Sequence, residues 1–102
     1  MSRTITPAEL KEKSSEFIVI DVRRKNDYDG ETILDAEWHD PEQVEQWAKD
    51  LPKDKEIVLY CARGGSVSNK VLDSLLADNI RARYIEGGIE GWKQHGGKVA
   101  KK

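Results

Sequence analysis

Two unbroken apolar runs of strand length stand out along the chain. One covers residues 17–20 and ends at Asp21, and the other covers residues 57–60 and ends at Cys61. A strand covered on both faces, as in a parallel sheet, reads as a continuous apolar run. The pattern therefore predicts two buried parallel strands. Weaker signals predict three more strands, at Thr4-Ile5, Ala36 to Trp38 and Ala82 to Ile85.

Stretches with helical spacing separate these strands. Thr6, Pro7 and Glu9 occupy the N-cap, N1 and N3 positions of a capping box, which predicts a helix ending near Lys13. Proline and glycine signals, together with apolar spacing, mark the remaining connections. They predict a short helix or turn at Arg24 to Asp29, helices from Asp40 to Leu51, from near Ser66 and from Ile89 to His95, a turn at Gly87-Gly88, and a fraying tail over residues 98–102.

The alternation of strand and helix predicts an α/β fold. We expect an open, mostly parallel five-stranded sheet with helices on both faces and right-handed crossovers, formed by residues 1–102 as a single domain. Sites in such sheets form at the carboxyl ends of the strands. Asp21, Cys61 and Glu86 each follow a predicted strand directly, so we expect all three at one edge of the sheet.

Cys61, the only cysteine, is the leading candidate for chemistry. It stands between a strand and a helix, and Gly64 and Gly65 follow it. Glycines allow a tight loop with inward N–H groups, and a helix N-terminus adds a positive dipole end. Such surroundings lower the pKa of a cysteine from about 8.5 to roughly 3.5–7.5 and favour the reactive thiolate. We therefore predict a nucleophile in an anion cradle, with Ser66 and Ser68 as helix caps.

Composition narrows the function further. Charged residues make up 35% of the chain, but the net charge is only −2 and Lys and Arg are scattered, which argues against nucleic-acid binding. No apolar run approaches the roughly 20 residues needed to cross a bilayer, and the first residues lack a signal-peptide core. An unpaired thiol suits a reducing compartment, so a cytoplasmic location is expected. His39 and His95 lack ligand-like spacing, so no metal site is expected.

Three motifs in this order resemble the rhodanese family of small sulfurtransferase domains. The first is Ile-Asp-Val-Arg at residues 20–23 with the acidic-aromatic pair Asp27-Tyr28. The second is the loop that starts at Cys61 and has a glycine three residues later. The third is a strand leading into two glycines and a tryptophan, at residues 84–92. Each motif is weak alone, whereas their order and spacing over nearly the whole chain are specific.

The resemblance implies sulfur transfer through a persulfide on Cys61. The donor would be a small sulfur-containing anion such as thiosulfate, and the acceptor a thiol, possibly on a protein, or cyanide, with no cofactor. The resemblance also implies a structural ion pair between Asp21 and Arg23 that supports the site. Arg63 is expected to bind the anionic part of the donor. The active loop implied for substrate binding consists of Ala62, Arg63, Gly64, Gly65, Ser66 and Val67.

Two departures from the family pattern leave alternatives open. Ser66 and Val67 stand where the family loop has arginine followed by serine or threonine, and residues 31–36 keep only Ile33 and Ala36 of the usual loop. Apolar positions of the next helix indicate one extra loop residue, as in the phosphatase and arsenate-reductase branch, although that chemistry needs the missing guanidinium. A non-catalytic module that binds a partner or relays sulfur is the second alternative.

Overall fold

The computed structural model describes residues 3–24, 30–34, 36–52, 54–61 and 66–101, without the side chains of Ser14 and Ser66. The predicted turn after Arg24 therefore lies largely outside the described residues. The strands are β1 (Thr4–Ile5), β2 (Phe17–Asp21), β3 (Glu31–Ile33), β4 (Glu37–Trp38), β5 (Glu56–Tyr60), β6 (Ala82–Ile85) and β7 (Val99–Lys101). The α-helices are α1 (Pro7–Glu12), α2 (Val44–Trp47), α3 (Ser66–Ala77) and α4 (Gly88–Gln94), with 3-10 turns at Ser14–Glu16, Pro41–Gln43 and Ala48–Asp50.

The main sheet has five strands in the order β1-β6-β5-β2-β4. All four of its strand pairs are parallel, and the five-residue pairing of β2 with β5 places Asp21 opposite Tyr60. This confirms the predicted open α/β sheet. Because the strands are parallel, their carboxyl ends meet at one side of the sheet, which is called the carboxyl edge below.

Helices cover both faces of this sheet, as predicted. Val19 and Val58 point to the face covered by α1 and α4, where Leu10 and Trp92 pack. Alternate residues of the same strands point to the other face, covered by α2 and α3. This second cluster contains Ile18, Ile20 and Val22 around β2, Ile57 and Leu59 from β5, and Val71, Leu72 and Leu75 from α3. The apolar runs in the sequence therefore reflect two cores divided by one sheet.

The predicted fraying of residues 98–102 is wrong for the described part of that segment. Val99–Lys101 forms β7, which pairs antiparallel with β3 as a second, two-stranded sheet. The carbonyl of Lys98 accepts hydrogen bonds from Leu34 N and from the indole of Trp92. Backbone pairing and the partial burial of Val99 against the α1 side compensate for the polar composition of this segment.

The other elements follow the sequence closely. Thr6 Oγ1 accepts a hydrogen bond from Glu9 N at 3.1 Å, which confirms the predicted N-cap of α1. The helix predicted from Asp40 is instead two 3-10 turns that flank the single α-turn of α2. Across the described ranges, no helix is both long enough and apolar enough to span a membrane.

Candidate functional site

Cys61 lies directly after β5 at the carboxyl edge. Its neighbours across the sheet are the ends of β2 and β6, because Asp21 pairs with Tyr60 and Leu59 pairs with Tyr84. Only 8% of the cysteine surface is exposed. The predicted loop residues Ala62, Arg63, Gly64 and Gly65 lie outside the described residues. The cysteine therefore enters the predicted loop from the most central strand of the fold.

A turn of two glycines positions the backbone of Cys61. Gly87 and Gly88 have φ values of 77° and 61°, in the left-handed region that glycine adopts without a Cβ clash. This turn leads from β6 into α4, and the N–H of Ile89 in the first turn of α4 donates to the carbonyl oxygen of Cys61 at 2.9 Å. The glycine pair in the sequence therefore holds the cysteine end of β5 against α4.

Helix α3 begins five residues after Cys61, at Ser66. Its twelve residues give a full helix dipole, with the positive end at the side of the predicted loop. Val67 is half-buried and packs against the α3-side core. Ser66 and Val67 stand where the family has an arginine and then a serine or threonine, and the packing of Val67 in the core explains why an apolar residue is suitable at the second of these positions.

The expectation that Ser68 caps α3 is wrong. Ser68 is 1% exposed, and its Oγ has no hydrogen-bond partner among the residues that the structure describes. It shares the sheet-facing side of the helix with Val71, Leu72 and Leu75, at the spacing of one helical face. Within the described part of the chain, this buried hydroxyl in the first turn of α3 therefore has no hydrogen-bond acceptor. Helical periodicity marks this position as buried, whereas the serine residue type suggested a cap.

Asp21 and Arg23 form the ion pair that the family resemblance implies. Arg23 Nη2 lies 2.6 Å from Asp21 Oδ2, and the two side chains are 2% and 0% exposed. Arg23 also donates to the carbonyl of Glu31 in β3. Alternation along β2 places Asp21 on the face covered by α1 and α4, away from the α3 side on which Cys61 continues the row of Ile57 and Leu59. The ion pair therefore supports the carboxyl edge from the face of the sheet opposite to the Cys61 side chain.

Tyr60 connects this ion pair to the strand that carries Cys61. Its ring lies 5.8 Å below the guanidinium carbon of Arg23, and its hydroxyl oxygen accepts the N–H of Ile33 at 3.1 Å. Burial and the nearby Asp21 carboxylate raise the pKa of Tyr60 above its usual value, because both disfavour the phenolate. The phenol thus remains protonated at neutral pH, and its hydroxyl accepts a structural hydrogen bond rather than acting as a base.

Three aromatic side chains, Trp38, His39 and Trp47, lie near β4 at the carboxyl edge. Trp38 donates its indole N–H to the carbonyl of Arg23 at 2.8 Å. His39 lies on the ring of Trp47, with 4.9 Å between centroids, and its Nε2 is 3.5 Å from a Glu37 oxygen. Among the described residues, no group of three or more His, Cys, Asp or Glu side chains is arranged to hold a metal.

Comparison with known proteins identifies the family. The family model of the rhodanese-like domain matches residues 6–95. The chain belongs to the rhodanese-like domain family. This assignment confirms the resemblance on which the roles of Cys61, Asp21 and Arg23 were based.

Relatives of this rhodanese-like chain include a named enzyme and solved structures. The protein named thiosulfate sulfurtransferase GlpE from Coxiella burnetii is 29% identical over 84 residues, which cover 81% of this chain and 78% of the relative. The crystal structure of a rhodanese-related protein from Thermoplasma volcanium superposes with a TM-score of 0.88 at 26% identity and covers 98% of this chain and 99% of that one. A Pseudomonas aeruginosa thiosulfate sulfurtransferase shares the fold at 20% identity, with a TM-score of 0.84 and coverage of 99% of this chain and 20% of that one.

Proposed function

We propose that this rhodanese-like domain is a sulfurtransferase that carries sulfur as a persulfide on Cys61. The observation that carries the proposal is the position of Cys61, after the central strand and before the N-terminus of a twelve-residue helix, with its carbonyl held by Ile89. The family match and the GlpE relative support sulfur transfer as the reaction class.

The reaction consists of two displacements at sulfur. In the first, the thiolate of Cys61 attacks the outer sulfur of thiosulfate, the sulfur–sulfur bond of the donor breaks, and sulfite leaves with the electron pair. In the second, cyanide or a thiolate attacks the terminal sulfur of the persulfide, and the electron pair of the broken bond returns to Cys61. Loop N–H groups from Ala62 to Val67 would stabilise the thiolate and the persulfide anion, both of which carry charge at the same place.

The test is the intact mass of the protein after incubation with thiosulfate. Wild type should gain the mass of one sulfur atom and lose it on addition of cyanide, with formation of thiocyanate. Cys61→Ser should gain nothing and should show the same far-UV circular dichroism as wild type. Equal turnover of thiosulfate and cyanide by both proteins would refute the role of Cys61.

A non-catalytic module is the second candidate, and the low exposure of Cys61 favours it. If wild type forms no persulfide with any sulfane-sulfur donor, this second candidate replaces the first. The phosphatase and arsenate-reductase alternative has weaker support, because half-buried Val67 supplies no guanidinium at the end of the loop. Turnover of an aryl phosphate or arsenate by wild type, lost in Cys61→Ser, would restore that alternative.

A further inference from the structure

A groove borders the first half of strand β2. Among the described strands, β5 pairs with all five residues of β2, whereas β4 pairs only with its last two. Phe17, Ile18 and Val19 all line a groove of about 780 Å³, together with Glu37 of β4. Consecutive strand residues point to opposite faces of a sheet, so a groove that contacts all three runs along the edge of the strand. Because β5 occupies the other side of β2, this groove lies on the β4 side; it is called the β2 groove below.

Main-chain polar groups of β2 point into the β2 groove. The carbonyl of Asp21 accepts the N–H of His39, which follows β4, at 3.0 Å. Main-chain groups alternate in direction along a strand, so the N–H of Val19 and the carbonyl of Phe17 point to the same side as the Asp21 carbonyl. A hydrocarbon ligand would bury both groups without a partner, whereas an added strand forms hydrogen bonds with them. The β2 groove therefore suits an extended peptide better than a lipid chain.

The side chains of the β2 groove are apolar at its base and mostly basic at its rim. Trp92 is buried beneath the groove, and Leu34 lines it with 44% of its surface exposed. Lys11 of α1 and Lys98 also line it, and both are exposed, whereas Glu37 is the one acidic side chain among the described lining residues. A peptide with aliphatic and acidic side chains therefore gains apolar contact and favourable charge there.

We propose that the β2 groove binds an extended segment of a partner protein, which adds to the main sheet as a strand beside Phe17 to Val19. The segment carries aliphatic side chains against Leu34 and carboxylates near Lys11 and Lys98. The groove borders the amino half of β2, whereas Cys61 lies at the carboxyl edge. This inference therefore does not depend on the reaction proposed for Cys61.

The first test is a titration of the isotope-labelled protein with the peptide acetyl-Val-Glu-Val-Glu-Val-amide, followed by NMR. Shift changes should concentrate at the amides of Phe17 to Val19 and of Leu34, and nuclear Overhauser contacts should join the peptide main chain to Val19. The Val19 amide should exchange with solvent about tenfold more slowly in the complex, because its N–H then has an acceptor. Shift changes confined to other parts of the protein, or no binding at millimolar peptide, would overturn the proposal.

Variants of the peptide test the strand geometry. Methylation of the two glutamate nitrogens and methylation of the three valine nitrogens block opposite edges of the extended peptide, so one methylated peptide should bind about tenfold more weakly than the other. Replacement of both glutamates by lysine should weaken binding about three- to tenfold at low salt. Equal affinity of all these peptides would overturn the proposal. Decanoate that binds the groove in place of the peptide would show a lipid site, and a dimer of the free protein with Val19 protected would show a second copy as the occupant; either would overturn it.

Variants of the protein provide matched pairs. Leu34→Glu should weaken peptide binding about tenfold, because it removes apolar contact and adds a like charge. Leu76→Glu is its control, since Leu76 on α3 is similarly exposed, at 39%, and does not line the groove, so its affinity should equal that of wild type. Lys11→Gln should weaken binding about two- to fivefold, and Lys70→Gln, exposed on α3, should not change it. Equal effects within either pair would overturn the proposal.

Discussion

At the residue scale, the protonation state of the Tyr60 hydroxyl affects the stability of the fold next to the candidate site. Its hydroxyl accepts the Ile33 N–H from β3, in a buried position beside Asp21. The pKa of the phenol is raised in the folded protein, whereas in the unfolded chain it returns to about 10.0. The folded state therefore favours the protonated phenol. Its contribution to stability is complete below pH 10 and is lost as the pH rises from 10 toward the higher folded value.

Tyr60→Phe should separate the hydrogen bond from this titration. At neutral pH the variant should lose about 1–3 kcal/mol of unfolding free energy, because the buried N–H of Ile33 loses its acceptor. Above pH 10 the stability of wild type should fall more steeply than that of the variant, by up to about 1.4 kcal/mol per pH unit. Urea unfolding followed by tryptophan fluorescence from pH 7 to 11 provides both values. Parallel stability curves above pH 10 would contradict the assignment, since all other titrations are common to both proteins.

The resemblance to the rhodanese family implies an ion pair between Asp21 and Arg23, and the structure contains this pair in a buried position. Sequence reasoning therefore succeeded for these two residues through the resemblance. It failed for Ser68, because a serine near a helix start usually serves as a cap. Here the position in the helical repeat, not the residue type, decides that the hydroxyl faces the sheet.

At the element scale, α4 depends on its close approach to the preceding turn. A Cβ at Gly91 would lie 2.7 Å from the carbonyl oxygen of Glu86, which is backbone and cannot move away without shifting the turn. This contact explains why a glycine stands inside a seven-residue helix, where it costs about 1 kcal/mol relative to alanine in helix propensity.

Gly91→Ala should therefore destabilise the protein by about 1–3 kcal/mol, because overpacking outweighs the gain in helix propensity. Chemical denaturation provides the change in unfolding free energy. Gln94→Ala, at an exposed position near the end of the same helix, is the matched control and should stay within about 0.5 kcal/mol of wild type. A Gly91→Ala protein as stable as wild type would show that the turn moves freely and that the contact carries no energy.

The sequence predicted elements well where one strong local signal defined them. The capping box of α1 and the apolar runs of β2 and β5 are such signals, and all three elements appear as predicted. It failed for β3 and β7, which are three residues each and pair over a long separation in the chain. No local periodicity can indicate a pairing of that kind. The segment around α2 lacks a side-chain cap at Gln43, which fits its division into short turns.

At the scale of the whole molecule, the strand near the end of the chain pairs with a strand from its first third. The β3–β7 pairing joins the last described residues to the segment between β2 and β4, on the face covered by α1 and α4. Through β3 this second sheet contacts Arg23 and Tyr60, and through Lys98 it contacts Trp92. The main-sheet topology was predictable because alternating strands and helices allow few arrangements. The β3–β7 pairing was not predictable, because it depends on tertiary packing between segments far apart in the chain.

Deletion of residues 98–102 should therefore destabilise the whole domain rather than remove a loose end. The truncated chain loses the three residue pairs of the β3–β7 ladder, the two hydrogen bonds to the Lys98 carbonyl and the partial burial of Val99. At about 0.5–1.5 kcal/mol for each hydrogen bond, with some bonds replaced by water, the expected loss is about 2–5 kcal/mol of unfolding free energy. Urea unfolding measures it, and hydrogen exchange should show lost protection at the Leu34 amide.

Lys98→Ala is the control that keeps the main chain of β7. It removes one exposed charge but retains the carbonyl that accepts from Leu34 and Trp92, so its stability should stay within about 0.5 kcal/mol of wild type. The emission of Trp92 should shift to longer wavelength only in the truncated chain, because its indole there loses both its acceptor and its cover. A truncated protein with wild-type stability and unchanged Leu34 protection would mean that the β3–β7 sheet contributes nothing to the fold, and that the edge carrying Cys61 is held by the main sheet alone.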